Sequence, residues 1–196
     1  MRRSLPLALT LLASLAAAPT ARAQATAMAA TAPAPAAPDV GAAAPDFTMS
    51  TVGANGQSAP VSLAALRGKV VVLAFYPKDK TTGCTAELHK FRDQYAALFP
   101  GAATGDVVVV PVSADGLASH AAWAGEDKFP FALASDSTLG VAERYGSRMA
   151  GQRMANRTVF VIGRDGMVKY RDLKFNALSE DAYTSLAAAV AAAAKG

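Results

Sequence analysis

From about residue 40 onward, short unbroken apolar runs alternate with stretches of helical periodicity. Residues 70–75, Val-Val-Val-Leu-Ala-Phe, are apolar throughout, the pattern of a strand covered on both faces. Residues 107–112 form a second run of this kind. Between them, Leu88, Phe91, Tyr95 and Leu98 recur within 84–99 at intervals that make one face of a helix. Pro100-Gly101 then ends it. Residues 117–127 carry another helical pattern, with Trp123 on the apolar side, and 139–145 read as a short helix closed by Gly146. Residues 158–162 and 167–171 flank Gly163-Arg164-Asp165-Gly166, a hairpin signature. Ser179 is placed to cap a last helix, with Glu180 and Asp181 in its first turn and Tyr183, Leu186 and Val190 on its inner face. This order of elements is α/β and predicts a central sheet covered by helices. No internal repeat is evident.

The N-terminal residues fall outside that pattern. Arg2 and Arg3 are followed by an apolar stretch over 5–18 and then by Ala21-Arg22-Ala23. A basic start, a short apolar centre and a small-x-small site describe a cleaved signal peptide over 1–23. The stretch is shorter than the roughly 20 residues of a membrane span, and no cysteine sits at the cleavage site for lipid attachment. Residues 24–38 are rich in Ala, Pro and Thr, with little to bury, and read as a flexible tether. One domain, 39–196, follows. The expected location is periplasmic, with no membrane association after cleavage.

Composition narrows the function classes. Hydrophobic residues make up 52% and charged ones 17%, which excludes a disordered chain. The formal charge of +4 falls to +1 once Arg2, Arg3 and Arg22 leave with the leader. Lys78, Lys80, Lys90 and Arg92 are interleaved with Asp79, Glu87 and Asp93, so no basic cluster marks a nucleic-acid surface.

The chain has one cysteine, Cys84. In an exported protein such a residue is inert filler, an intermolecular link or a reactive thiol. Its neighbourhood decides between them. The run Phe75-Tyr76-Pro77-Lys78-Asp79-Lys80-Thr81-Thr82-Gly83-Cys84 takes a buried strand through a polar loop to a helix that begins near the thiol. Unpaired backbone N–H groups at a helix N-terminus favour an anion, here the thiolate.

Pro77, Thr81 and Cys84 match the pattern Pro-x-x-x-Thr-x-x-Cys, and the chain resembles the peroxiredoxins (alkyl hydroperoxide reductase C/thiol-specific antioxidant family). The likeness extends through Ala44-Pro45-Asp46-Phe47, Val112-Ser113-Ala114-Asp115, Ser119-His120, Phe129-Pro130-Phe131, Ser135-Asp136, Tyr145-Gly146 and Arg157-Thr158-Val159-Phe160 in the family's order. Gly83-Cys84-Thr85, Glu87 and Phe91-Arg92-Asp93 resemble the Q-type (bacterioferritin comigratory protein) branch. The resemblance implies a thioredoxin-like fold, with a mixed sheet flanked by helices, and no metal or organic cofactor. It makes Cys84 the nucleophile that attacks peroxide, Thr81 the hydroxyl that bonds thiolate and peroxide, Pro77 a shield against water, and Arg157 a fixed cation with several donors. Many Q-type members carry a resolving cysteine five residues after the nucleophile. Here that residue is His89, so the resemblance implies a one-cysteine cycle. Its partners are peroxide and an external reductant, a small thiol or a thioredoxin-like protein, and the chain acts as monomer or homodimer.

Other residues carry simpler readings. Glu87 lies one turn from Cys84 and can orient Arg157 or pair with a lysine. His89 lies about 140° around the helix from Cys84 on standard geometry and reads as a surface or subunit contact. His120 reads as structural, Met149 and Met154 as packing, and the glycosylation pattern Asn156-Arg157-Thr158 as accidental. A thiol–disulfide exchanger would normally need a second cysteine in Cys-x-x-Cys, absent here. A redox sensor is the other alternative, distinguished by poor turnover with thiols.

Overall fold

The structure, a computed structural model, describes residues 36–196. The predicted leader and most of the predicted tether lie outside the described residues. Ala37 and Pro38, at the tether's end, already meet the domain: both carbonyls accept from Arg171 Nη1 at 3.1 Å.

The described chain runs β1 (Thr48–Val52), β2 (Ser58–Ser62), β3 (Val70–Phe75), α1 (Thr82–Asp93), α2 (Tyr95–Leu98), β4 (Val107–Ser113), α3 (Leu117–Asp127), β5 (Leu133–Ser135), α4 (Gly140–Arg144), β6 (Thr158–Ile162), β7 (Val168–Asp172) and α5 (Glu180–Lys195). The strands form one sheet in the order β2-β1-β5-β4-β3-β6-β7. β3, β4 and β5 are parallel, and the other pairings are antiparallel. This is the predicted mixed sheet between helices.

The unbroken apolar run of β3 is explained by two cores. Val70, Val72 and Ala74 face one side, with Leu88, Phe91, Trp123, Tyr183 and Leu186 from α1, α3 and α5. Val71, Leu73 and Phe75 face the other, with Phe47, Val141 of α4, Tyr145 and Phe160. Alternation with period two places successive side chains in different cores.

Three expectations need correction. The helix predicted over 84–99 breaks at Gln94, which leaves helical geometry at φ −112°, ψ 25°. The break turns Tyr95 and Phe99 toward Phe131 and Phe91. β1, β2 and β5 were not anticipated: β2 contains Pro60 and lies at the sheet edge, where proline is tolerated. Ser179 occupies the N-cap of α5, but its side chain makes no capping bond.

Strand register brings the site together. Phe75 pairs with Val112 of β4 and with Thr158 of β6. The segments following β3 and β4 and the one preceding β6 therefore meet at one end of the sheet.

Candidate active site

Thr81 is the N-cap of α1, with extended backbone at φ −84°, ψ 150°. Thr82, Gly83 and Cys84 form the first turn, where N–H groups have no carbonyl four residues back within the helix. Just before it, Lys80 adopts φ +56°, a left-handed geometry uncommon for a residue with a side chain. Cys84 is 1% exposed and packs in the helix-side core with Leu88 and Phe91.

Arg157 reaches the thiol from the position just before β6, the strand paired with β3. Its Nη2 donates to Cys84 Sγ at 3.3 Å, and its Nη1 donates to Glu87 Oε2. Its backbone is held on both sides. Ser147 Oγ and Thr158 Oγ1 bond at 2.6 Å, Asn156 N–H donates to Ser147 O, and Phe175 N–H donates to Arg157 O. Gly83 leaves room for the guanidinium, since a Cβ there would stand 3.2 Å from Arg157 Nη2. The structure thus joins Cys84 and Arg157 as predicted, and pairs Glu87 with Arg157 rather than with a lysine.

Glu87 is fully buried, and its Oε1 has no hydrogen-bond partner. Burial disfavours the carboxylate and Arg157 only partly compensates, so its pKa is pushed up to about 7. Burial opposes the charge on Arg157 in turn, but Glu87 and the Cys84 sulfur outweigh it and hold Arg157 above its ordinary value.

Thr81 departs from the sequence expectation. Its hydroxyl donates to Lys78 O at 3.0 Å, and among the described residues no hydrogen bond links it to Cys84. With its hydrogen engaged, the oxygen keeps lone pairs free to accept. Pro77 is half-buried beside this loop.

A buried polar cluster under the loop was not foreseen. Asp79 accepts from Tyr76 Oη at 2.8 Å and from Ser119 Oγ at 2.7 Å, and it contacts His120 Nδ1 at 2.9 Å. Its own N–H donates to Asp115 Oδ2 at 2.9 Å. Burial raises the Asp79 pKa, but His120, Ser119 and Tyr76 outweigh that and leave it lowered. Burial, reinforced by Asp79, holds the Tyr76 phenol well above its usual value. His120 is structural as read, and it fastens the segment between Pro77 and Thr81 to α3.

His89 points away from the thiol. Its Nε2 meets Asp127 Oδ2 at 2.9 Å, and Trp123 Nε1 and Arg92 Nη1 also donate to Asp127. The side chain at the usual resolving position thus joins α1 to the end of α3.

The model of the AhpC/TSA family matches residues 40–171. The chain belongs to that family. Among AhpC/TSA relatives, a putative peroxiredoxin bcp of Coxiella burnetii is 36% identical over 136 residues, covering 66% of this chain and 85% of the relative. The chloroplastic peroxiredoxin Q of Sedum lineare is 36% identical over 131 residues, covering 66% of each. The crystal structure of peroxidoxin BcpB from Mycobacterium tuberculosis matches with a TM-score of 0.66 and 28% identity, over 79% of this chain and 97% of that one. The resemblance to peroxiredoxins and the thioredoxin-like fold both hold. With Cys84 as its single cysteine, the chain is a one-cysteine member.

Proposed function

We propose that the chain is a thiol-dependent peroxidase that reduces hydrogen peroxide and organic hydroperoxides at Cys84. The observation that carries this reading is Arg157 Nη2 at 3.3 Å from Cys84 Sγ, in a chain of the AhpC/TSA family. The thiolate attacks one peroxide oxygen. A sulfur–oxygen bond forms as the oxygen–oxygen bond breaks, and the second oxygen leaves with a proton as water or alcohol. The sulfur loses two electrons and becomes sulfenic acid.

Arg157 supplies fixed donors toward the oxygens on which charge develops, a role suited to the planar guanidinium fork. Thr81 accepts from the peroxide O–H and so orients it. Pro77 limits water access beside the loop. Glu87 sets the position of Arg157. Because no second cysteine exists, an external thiol, small or borne on a thioredoxin-like protein, reduces the sulfenic acid. The chain acts as monomer or homodimer, and it is exported to the periplasm with 1–23 removed. N-terminal sequencing of the mature protein should read from Gln24, and an intact Met1 on a soluble cytoplasmic form would contradict export.

Cys84→Ser tests the reading. Peroxide consumption with dithiothreitol should vanish while circular dichroism is unchanged, because the side chains are close in size. Residual turnover above a few per cent would refute it.

A further inference from the structure

The sulfenic acid must be met by a thiol from outside, yet Cys84 is 1% exposed. A groove of about 480 Å³ opens at this end of the sheet, and its lining includes Pro77, Lys78, Asp115, Gln152, Arg153 and Met154. Three segments line it: the loop that runs into Thr81 and Cys84, the residues after β4 that include Asp115, and the segment that runs into Arg157. Lys78 and Arg153 stand on the first and the last of these, both exposed. Neither forms an ion pair among the described residues. Lys80 and Arg148 nearby are engaged by Glu126 and Glu143. The one carboxylate in the lining, Asp115, is turned into the protein, where its Oδ2 receives the Asp79 N–H and the Ser113 hydroxyl.

From this arrangement we propose that the groove docks a small thiol bearing carboxylates, and that this is the class of reductant that regenerates Cys84. The proposal rests on the peroxidase reading. Two cations on separate segments of one groove suit a molecule with more than one carboxylate. The volume falls within the range of small-molecule sites, roughly 300–1,000 Å³. A protein reductant would instead need about 800 Å² of its own surface in contact. Chemically, the thiol sulfur attacks the Cys84 sulfenic sulfur and water leaves, giving a mixed disulfide. A second thiol attacks the small-molecule sulfur of that disulfide. Cys84 departs as thiolate, and the two small thiols leave oxidised as their disulfide.

The test compares mercaptosuccinate, which has two carboxylates, with 2-mercaptoethanol, which has none. Both serve as reductants under saturating hydrogen peroxide. In Lys78→Gln/Arg153→Gln, the ratio of kcat/KM for mercaptosuccinate to that for 2-mercaptoethanol should fall about tenfold relative to wild type, as expected when steering charges are removed. Lys78→Arg/Arg153→Lys should keep the ratio. Should the double glutamine variant fail to fold, salt gives the same answer on wild type. Raising ionic strength from about 0.02 to 0.5 M shortens the screening length several-fold. It should then depress the mercaptosuccinate rate far more than the 2-mercaptoethanol rate. A ratio indifferent to both charge removal and salt overturns the groove assignment while leaving the peroxidase reading intact. If neither thiol supports turnover by wild type, it is the peroxidase reading that fails.

Discussion

Replacing Glu87 by glutamine keeps the shape of the side chain and removes its charge. Burial moves the Glu87 pKa from 4.5 to about 7 in the folded chain, with Arg157 only partly opposing the shift. Between those values the native state holds a proton that the unfolded state has released. Stability therefore falls as pH rises through that window. The contribution is fully present below about pH 4.5 and lost above about pH 7. At 1.36 kcal/mol per pKa unit, the loss is roughly 3 kcal/mol. Glutamine has no such titration. Urea unfolding between pH 5 and pH 8, which spans most of that window, should therefore show wild type losing about 2–3 kcal/mol relative to Glu87→Gln, a relative midpoint shift of about 1–3 M at ordinary denaturant slopes. The peroxide reaction should follow the same titration. At pH 8 the ionised carboxylate clamps Arg157 Nη1 in wild type, and the variant should be slower by about tenfold, or about 1.4 kcal/mol. Below pH 6 wild-type Glu87 is itself neutral, and the two rates should converge. Parallel stability profiles, or a rate deficit equal at pH 6 and pH 8, would refute the assignment of charge to this residue.

Other perturbations probe the remaining parts of the site. Arg157→Lys keeps a positive charge but loses the fork that spans Cys84 and Glu87; stopped-flow oxidation of Cys84 should slow tenfold or more, and near-wild-type rates would reject a positioning role. Peroxide without added thiol should drive one turnover and then overoxidation, read as intact-mass gains of about 16 and about 32 daltons; repeated turnover under those conditions would contradict the one-cysteine cycle. His89→Cys should give no internal disulfide while α1 is intact, because residues five apart on a helix have Cα atoms about 8.7 Å apart, beyond the roughly 7 Å limit for bridging. Nonreducing peptide mapping checks this, and ready crosslinking in native buffer would mean that α1 opens easily.

How legible each part was depended on how far its signal extends along the chain. β3, β6 and α3 coincide with their patterns because apolar side chains alone define them. β1 has no clear strand signature because Thr48, Ser50 and Thr51 dilute its alternation, and β2 has none because of Pro60. Cys84 stands out by its place at the start of a helix, whereas Thr81, Pro77 and Arg157 are marked only by the resemblance to the peroxiredoxin pattern. The bond from the Thr81 hydroxyl to Lys78 O has no sign in the sequence. Glu87 gave a usable sign: on a helix it borders the arc of Cys84, Leu88 and Phe91, about 40° beyond Phe91, where a carboxylate that becomes buried needs a partner. Asp79 gave none. Set between two lysines it looks solvated, and only the folded chain brings Tyr76, Ser119 and His120 around it.

The pairing of Phe75 with Thr158 also bears on when the protein becomes reactive. Cys84 and Arg157 lie 73 residues apart in sequence, and no local element can bring them together. A nascent chain carries a thiol without Arg157 beside it, whatever helix has formed around it. A register error of two residues between β3 and β6 would preserve the inward and outward alternation yet displace Arg157 by about 6.8 Å, far outside bonding range. Long-range pairings of this kind are slow to form. The onset of peroxide reactivity during refolding should therefore lag behind helix formation and report that the sheet has closed in the correct register.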